Sequence, residues 1–165
     1  IKTTMEFKEF IKDIPDHPVK GIVYKDIQPL ISNAHAFKYS IVGMKQLCNF
    51  VGVDYWVGIE SRGFIFAAAL AEHSYDGFKM IRKKGKLPPS DLVSMEYGLE
   101  YGRDCIEMEK GSGKVIIVDD VYATGGTMTA AKLLCESAGY EVIDTICLLD
   151  IGLTKNHDTK CLISY

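Results

Sequence analysis

Val115-Ile116-Ile117-Val118-Asp119-Asp120-Val121-Tyr122-Ala123-Thr124-Gly125-Gly126-Thr127 is the stretch around which the rest of the chain can be read. Four β-branched apolar residues in a row suit a strand buried on both faces of a parallel sheet. Two adjacent carboxylates and a loop of small residues follow. Met128, Ala131, Leu134, Cys135 and Ala138 then recur at helical spacing, and Gly139 is a natural stop. Strand, acidic turn, Gly/Thr loop and helix together set several backbone N–H groups and two hydroxyls at a helix N-terminus. That is an anion site, suited to a phosphate.

The two aspartates narrow the ligand. Adjacent carboxylates repel each other unless cations or hydroxyl donors compensate them. A ribose diol beside a bound Mg²⁺ supplies both. No G-x-x-x-x-G-K-[ST] occurs, which disfavours a Walker-type ATPase. The plain alternative is a solvated turn, and the order and spacing of the residues favour a sugar-phosphate binder over it.

Residues 115–127 resemble the phosphoribosyl diphosphate (PRPP) motif of type I phosphoribosyltransferases. The resemblance implies that Asp119 and Asp120 hold the ribose hydroxyls, and that Ala123, Thr124, Gly125, Gly126 and Thr127 cradle the 5′-phosphate. It also implies an α/β fold of the type I phosphoribosyltransferase kind, with a central, mostly parallel sheet flanked by helices. A single domain over residues 1–165 is expected, with a small N-terminal hood (1–32) and a flexible catalytic lid (82–102).

Composition agrees with one compact α/β domain: 165 residues, 47% of them hydrophobic, can bury a substantial core. A net charge of -3 leaves no basic footprint for nucleic acid. No apolar run is long enough to span a bilayer. Cys48, Cys105, Cys135, Cys147 and Cys161 are scattered and form no C-x-x-C, so they read as reduced thiols of a cytoplasmic protein. The four histidines form no zinc-ligand cluster.

In chain order, residues 5–11 alternate apolar and charged side chains like a short amphipathic helix, with Thr4 as candidate cap. Ile14-Pro15-Asp16-His17-Pro18-Val19-Lys20-Gly21 breaks it as a shaped loop. Ile22-Val23-Tyr24-Lys25-Asp26-Ile27-Gln28-Pro29-Leu30 reads as a short strand or extended arm, whose side chains packing alone can explain. The block resembles the hood segment of adenine phosphoribosyltransferases, F-P-x-x-P-x-x-G-[IV]-x-F-[RK]-D-I-[ST]-P, whose main chain and aromatic ring meet the purine. By that resemblance Val23, Tyr24 and Lys25 bind adenine, with Tyr24 in place of the usual Phe and Lys25 in place of the commoner Arg.

Residues 36–51 carry a helical apolar stripe, and 55–59 form a second buried-strand candidate. This strand runs into Glu60-Ser61-Arg62-Gly63-Phe64 and an apolar helix over 65–71. Two anion-binding turns at one edge of a parallel sheet fit a doubly charged ligand; the plain alternative pairs Arg62 with Glu60. The turn resembles the family's diphosphate loop, [DE]-[SA]-R-G, often held in a non-proline cis peptide. Glu60, Ser61, Arg62 and Gly63 are thereby implied at the diphosphate.

Residues 77–81 lead as a short strand into Arg82-Lys83-Lys84-Gly85-Lys86-Leu87-Pro88-Pro89. A cation cluster by itself is a solvated face, and beside an anion site it is a clamp. The family pattern R-K-x-G-K-L-P implies Arg82, Lys83 and Lys86 in diphosphate binding. Met95-Glu96-Tyr97-Gly98-Leu99-Glu100-Tyr101-Gly102 then contains E-Y-G twice. The family's lid pattern, Y-x-L-E-Y-G, fits the second copy. It implies Glu100 as the catalytic carboxylate, Tyr101 as a cover over the diphosphate end of PRPP, and Glu96 as a solvated lid residue; Gly98 and Gly102 permit a hinge. Residues 103–108 and 140–149 read as strands, 152–159 as a polar loop and 161–165 as an edge strand.

The resemblance therefore implies a Mg²⁺-dependent purine-salvage enzyme that moves phosphoribosyl from PRPP to adenine, giving AMP and diphosphate. Mg²⁺ would be held through PRPP and water without direct protein ligands. A homodimer is the family's usual state, and neither nucleic acid nor membrane is expected as a partner. Two rivals stay open. Hypoxanthine-guanine enzymes place a lysine in a late strand to read a 6-oxo group, and residues 142–150 contain none. A PRPP-sensing regulator generally adds a DNA-binding domain, for which no basic helix is present.

Overall fold

The computed structural model describes residues 6–49, 52–99 and 102–165. The chain forms two compact units, Ile1–Gly43 and Met44–Tyr165. The first thus extends past the expected hood boundary at 32 to include most of a long helix.

In the first unit, the expected helix over 5–11 is a single 3-10 turn, Phe7–Phe10; Thr4 and Met5 lie outside the described residues. The turn ends because Ile11 is extended and residues 12–14 pair as a strand instead. Ile14 also precedes Pro15, which disfavours helical backbone there. Strand β1 (Lys12–Ile14) runs antiparallel to β2 (Tyr24–Asp26), with Ile14 opposite Tyr24. The loop between them contains the cis peptide His17–Pro18. Gly21 at φ +90° donates its N–H to Asp16 Oδ1 at 2.7 Å. Helix α1 (Gln28–Ser32), read from sequence as the end of an arm, starts where Asp26 Oδ1 accepts the Gln28 N–H at 3.0 Å and Pro29 occupies the first turn. Helix α2 (Ala34–Gln46) starts two residues before the sequence expectation, because Asn33 Oδ1 caps the Ala36 N–H at 2.9 Å.

The second unit is an α/β sandwich built from β3 (Tyr55–Ile59), α3 (Gly63–Ser74), β4 (Gly77–Lys83), β5 (Leu92–Leu99), β6 (Gly102–Glu109), β7 (Gly113–Tyr122), α4 (Gly126–Ala138), β8 (Tyr140–Asp150) and β9 (Lys160–Ser164). The sheet order is β5-β6-β4-β3-β7-β8-β9. Strands β4, β3, β7, β8 and β9 run parallel, and β5–β6 form an antiparallel hairpin at one edge. Much of the segment expected as a lid is therefore sheet, with β5 in register against β6 from Leu92↔Glu109 to Leu99↔Gly102.

Residues Val115, Ile116, Ile117 and Val118 are wholly buried, as their β-branched run demands. Val115 and Ile117 join the cluster under α4 with Val57, Ile81, Leu134 and Cys147. The alternate side chains face the opposite side, where α3 packs on β3, β4 and β7. There Gly58 lets α3 approach closely: a Cβ would lie 2.9 Å from the Ala67 Cβ.

Candidate active site

Strands β3 and β7 are parallel neighbours, paired from Tyr55↔Val115 to Gly58↔Val118, so their following turns emerge side by side on one sheet edge. After β3 comes the turn 60–62 and the start of α3; after β7 comes the loop 123–125 and the start of α4. Between the turns lies a cleft of about 320 Å³, lined among others by Glu60, Ser61, Arg62, Lys83, Asp119, Asp120 and Thr127. A smaller cavity of about 60 Å³ lies in the bend of the second loop, lined by residues 121–128, Asp119 and Cys147. Gly125, at φ +89°, forms that bend; a side chain there would run into the Tyr122 hydroxyl.

Asp119 and Asp120 lie near the C-terminal end of β7, at the cleft floor. Asp119 Oδ1 accepts the Asp120 N–H at 2.9 Å. Asp120 is buried, and its Oδ2 lies 2.7 Å from Arg62 Nε. Arg62 therefore pairs across the strands rather than with Glu60 of its own turn. Burial, with the neighbouring Asp120 charge second, pushes the Asp119 carboxyl well above the usual carboxylate range. Such a group is poised for a cation or hydroxyl donors, and a sugar diol offers the latter.

Glu60 faces a different task. Its Oε1 accepts from Arg82 Nε at 3.0 Å and Nη2 at 2.8 Å, and its Oε2 accepts the Lys83 N–H at 2.9 Å. Burial alone would raise this carboxyl, but the Lys83 N–H and the Arg82 guanidinium outweigh it and hold it below its ordinary value. Arg82 also donates Nη1 to the Lys86 carbonyl at 3.3 Å. Glu60 and Arg82 thus brace the turn 83–86, whereas Lys83 reaches the cleft wall and ion-pairs with Asp104. Lys86 is exposed on that turn. The peptide Glu60–Ser61 is cis, as the resemblance implies. At Gly63 a Cβ would lie 2.8 Å from the Val118 carbonyl oxygen and 3.0 Å from Asp119 Oδ1, so only glycine lets this turn close on the acid pair.

Asp104 and Tyr97 line the same cleft, with Tyr97 Oη 3.5 Å from Asp104 Oδ2. Sequence reasoning assigned Asp104 nothing; as one acid of the alternating strand β6 it carries no local signal. Glu100 and Tyr101 lie outside the described residues. Val23, Tyr24 and Lys25 belong to the first unit. There Lys25 Nζ is 2.7 Å from Asp13 Oδ1, opposite it in the β1–β2 register. The Tyr24 ring meets His17 edge-on at 5.0 Å. Among the described residues no three His, Cys, Asp or Glu side chains converge into a metal cage.

A mostly parallel sheet that sets an acid pair between two glycine-containing turns has the layout of a sugar-phosphate transferase site. The family model described as "Phosphoribosyl transferase domain" matches residues 52–165. The adenine phosphoribosyltransferase of Hydrogenovibrio crunogenus is 50% identical over 147 residues, covering 87% of this chain and 84% of that protein. Among solved structures, the adenine phosphoribosyltransferase of Thermoanaerobacter pseudethanolicus is 40% identical with a TM-score of 0.88, covering 97% of this chain and 98% of that one. The Saccharomyces cerevisiae enzyme, complexed with D-2,5-dideoxy-2,5-imino-altritol 1,6-bisphosphate and adenine, is 33% identical with a TM-score of 0.87, covering 95% of this chain and 96% of that one. The chain belongs to the phosphoribosyltransferase family, within its adenine phosphoribosyltransferase branch.

Proposed function

We propose that this chain transfers the 5-phosphoribosyl group of PRPP to adenine, giving AMP and diphosphate in purine salvage. The observation that carries the reading is the Asp119–Asp120 pair, set between the turns that follow β3 and β7, with Asp120 ion-paired to Arg62. The 50% identity to an adenine phosphoribosyltransferase supports the choice of base.

Charge in such a transfer develops on the ribose ring and on the leaving diphosphate. Asp119 and Asp120 accept hydrogen bonds from the ribose hydroxyls and fix the ring. The 123–127 loop turns its N–H groups and the hydroxyls of Thr124 and Thr127 on the 5′-phosphate. Ser61, Arg62, Gly63, Lys83 and Lys86 face the diphosphate, where cationic and N–H donors stabilise charge as it forms. Arg82 and Glu60 act through the turn they brace. Glu100 manages the proton of the purine imidazole, and Tyr101 covers the diphosphate. Val23, Tyr24 and Lys25 take the adenine.

The hard carboxylate oxygens of Asp119 and Asp120 in the cleft fit Mg²⁺ held through PRPP and water, beside an Asp119 carboxyl that burial raises in the ligand-free protein. When bound with PRPP it neutralises charge on the leaving diphosphate. Calorimetric PRPP affinity should accordingly fall when the divalent cation is withdrawn. A homodimer, the family's usual state, is consistent with the exposed Phe78 and Met80 on β4. The five free thiols suit a cytoplasmic setting.

The test offers adenine, hypoxanthine, guanine and xanthine separately with PRPP and Mg²⁺, assaying nucleotide and diphosphate. AMP from adenine alone is the expected result. Turnover of another base overturns the assignment of residues 23–25. PRPP binding without any product moves the chain to the sensor class.

A further inference from the structure

The loop after β8 takes no part in the chemistry above, yet it holds the 123–127 loop. Thr154 Oγ1 donates to Ala123 O at 3.2 Å and to Thr124 O at 3.3 Å, one hydroxyl proton shared by two carbonyls. These carbonyls belong to consecutive trans peptides, whose N–H groups are those of Thr124 and Gly125. In a trans peptide the C=O and N–H point in opposite directions. Holding both carbonyls toward Thr154 therefore turns both N–H groups to the far side of the loop. The small cavity of about 60 Å³ is walled by residues 121–128, and Thr154 is not in its wall.

Thr154 is itself fixed on either side. Asp150 Oδ1 accepts the Gly152 N–H at 2.8 Å, and Asp150 Oδ2 is 2.9 Å from His157 Nε2. The His157 ring stacks on Tyr122 at 3.8 Å with 24° between planes, and the Ile151 N–H donates to the Tyr122 carbonyl at 3.2 Å. Tyr122 in turn lies under the bend at Gly125. Burial raises the Asp150 carboxyl, but Gly152 and His157 outweigh it and hold the group below its ordinary value, so Asp150 is an ionised acceptor at neutral pH. Loop 151–157 thus touches the phosphate loop through the Thr154 hydroxyl, and Tyr122 just before it through the His157 ring and the Ile151 main chain.

We propose that Thr154 is a positioning residue that aims the Thr124 and Gly125 N–H groups at the 5′-phosphate, with the Asp150–His157–Tyr122 stack keeping it in place. The proposal rests on reading residues 123–127 as the phosphate cradle. Its specificity consequence is a preference for a phosphorylated over an unphosphorylated ribose.

Thr154→Val keeps the shape and removes the donor, whereas Thr154→Ser keeps the donor. Both are compared with wild type by steady-state kinetics and by calorimetric titration with ribose 5-phosphate. Valine should raise KM for PRPP and Kd for ribose 5-phosphate roughly tenfold, with kcat and KM for adenine changed less than about twofold, because the phosphate contact is equal in ground and transition states. Serine should restore both constants to within about threefold of wild type. A fall in kcat at constant PRPP KM, or serine behaving as valine does, overturns the proposal. If the valine variant does not fold, His157→Phe, which keeps the ring and loses the Asp150 contact, should weaken ribose 5-phosphate roughly threefold, and no change overturns it. Wild-type turnover with equal ribose 5-phosphate affinity in the valine variant defeats this proposal alone. No wild-type turnover with any base defeats the transferase reading, and the ribose 5-phosphate comparison still decides the role of Thr154.

Discussion

Arg62 Nε lies 2.7 Å from Asp120 Oδ2, so the turn after β3 and the acid pair near the end of β7 are tied by one ion pair at the floor of the cleft. The side chain of Asp120 is 8% exposed and that of Arg62 33%, so the carboxylate depends on the pair more than the cation does. Glu60, the nearer acid in sequence, is taken by Arg82. The turns assigned above to the diphosphate and the ribose are therefore linked by this contact.

Arg62→Ala leaves a buried carboxylate without its cation. An expected loss of about 2–4 kcal/mol in urea unfolding follows from leaving that buried charge without its partner. kcat/KM for PRPP should fall at least about 100-fold, because the proposed function sets the same side chain at the leaving diphosphate. Arg62→Lys should recover part of the stability and little of the rate. An unchanged unfolding midpoint in the alanine variant would remove the bracing role.

The parts of this site that were legible in the sequence are those with local signals. The β-branched run 115–118, the acid pair, the Gly/Thr loop and the stop at Gly139 all stand where the sequence reading sets them. Partner choice was not legible. Glu60 is bound by residues 22 and 23 positions away, and Thr154 reaches carbonyls 30 and 31 positions back. Such contacts are fixed by strand order and register, which no local pattern encodes. Strand β5 is a different case. Val93, Met95 and Tyr97 are partly buried while Ser94, Glu96 and Gly98 are exposed, a period-2 pattern present in the sequence but overshadowed by the lid resemblance. Helix α1 was hidden because its Pro29 reads as a breaker unless it is placed in a first turn.

Asp119→Asn should stabilise the ligand-free protein. Burial and the Asp120 charge raise the Asp119 carboxyl from its ordinary 3.8, so the folded state holds that proton more tightly than the unfolded state does. Wild type accordingly loses stability as pH rises from about 4 through the folded value. Asparagine keeps the Oδ1 that accepts the Asp120 N–H and carries no charge. Urea midpoints of variant and wild type should nearly coincide near about pH 4 and separate toward about pH 8, with the variant higher. PRPP turnover should drop roughly 100-fold in the same variant.

Glu60→Gln has the opposite pH signature. The Lys83 N–H and Arg82 overcome burial and lower this carboxyl from 4.5, so its contribution is present at neutral pH and lost as pH falls through the folded value. The glutamine variant should be less stable by about 1–2 kcal/mol near neutrality. It should converge with wild type in acid, flattening the acid limb of the stability curve. Parallel curves for the two proteins would show that Glu60 does not anchor Arg82 in solution.

Gly63→Ala tests how closely the β3 turn must approach the acid pair. The new Cβ would meet the Val118 carbonyl oxygen at 2.8 Å and Asp119 Oδ1 at 3.0 Å, and the first of these is backbone that cannot swing aside. The turn has to retreat, carrying Arg62 with it. KM for PRPP should rise roughly tenfold or more, with KM for adenine altered much less. Unchanged PRPP kinetics would mean that the turn tolerates displacement and that Arg62 is not held by it.

Glu96 and Glu100 separate cleanly by experiment. Glu96 lies on β5 with its carboxylate 3.7 Å from Arg103 Nη1, both side chains largely exposed. Such a pair contributes between about 0 and 1 kcal/mol. Glu96→Gln should therefore leave kcat, both KM values and the unfolding midpoint close to wild type. Glu100→Gln removes the carboxylate assigned to the purine proton while keeping its size. It should lower kcat by roughly 10²–10⁴ with PRPP affinity nearly intact, the size expected for loss of a general acid-base group. Single-turnover measurements with saturating PRPP and adenine isolate that step from product release. If Glu100→Gln turns over normally and Glu96→Gln does not, the first E-Y-G copy carries the chemistry, and the proton is handled from strand β5.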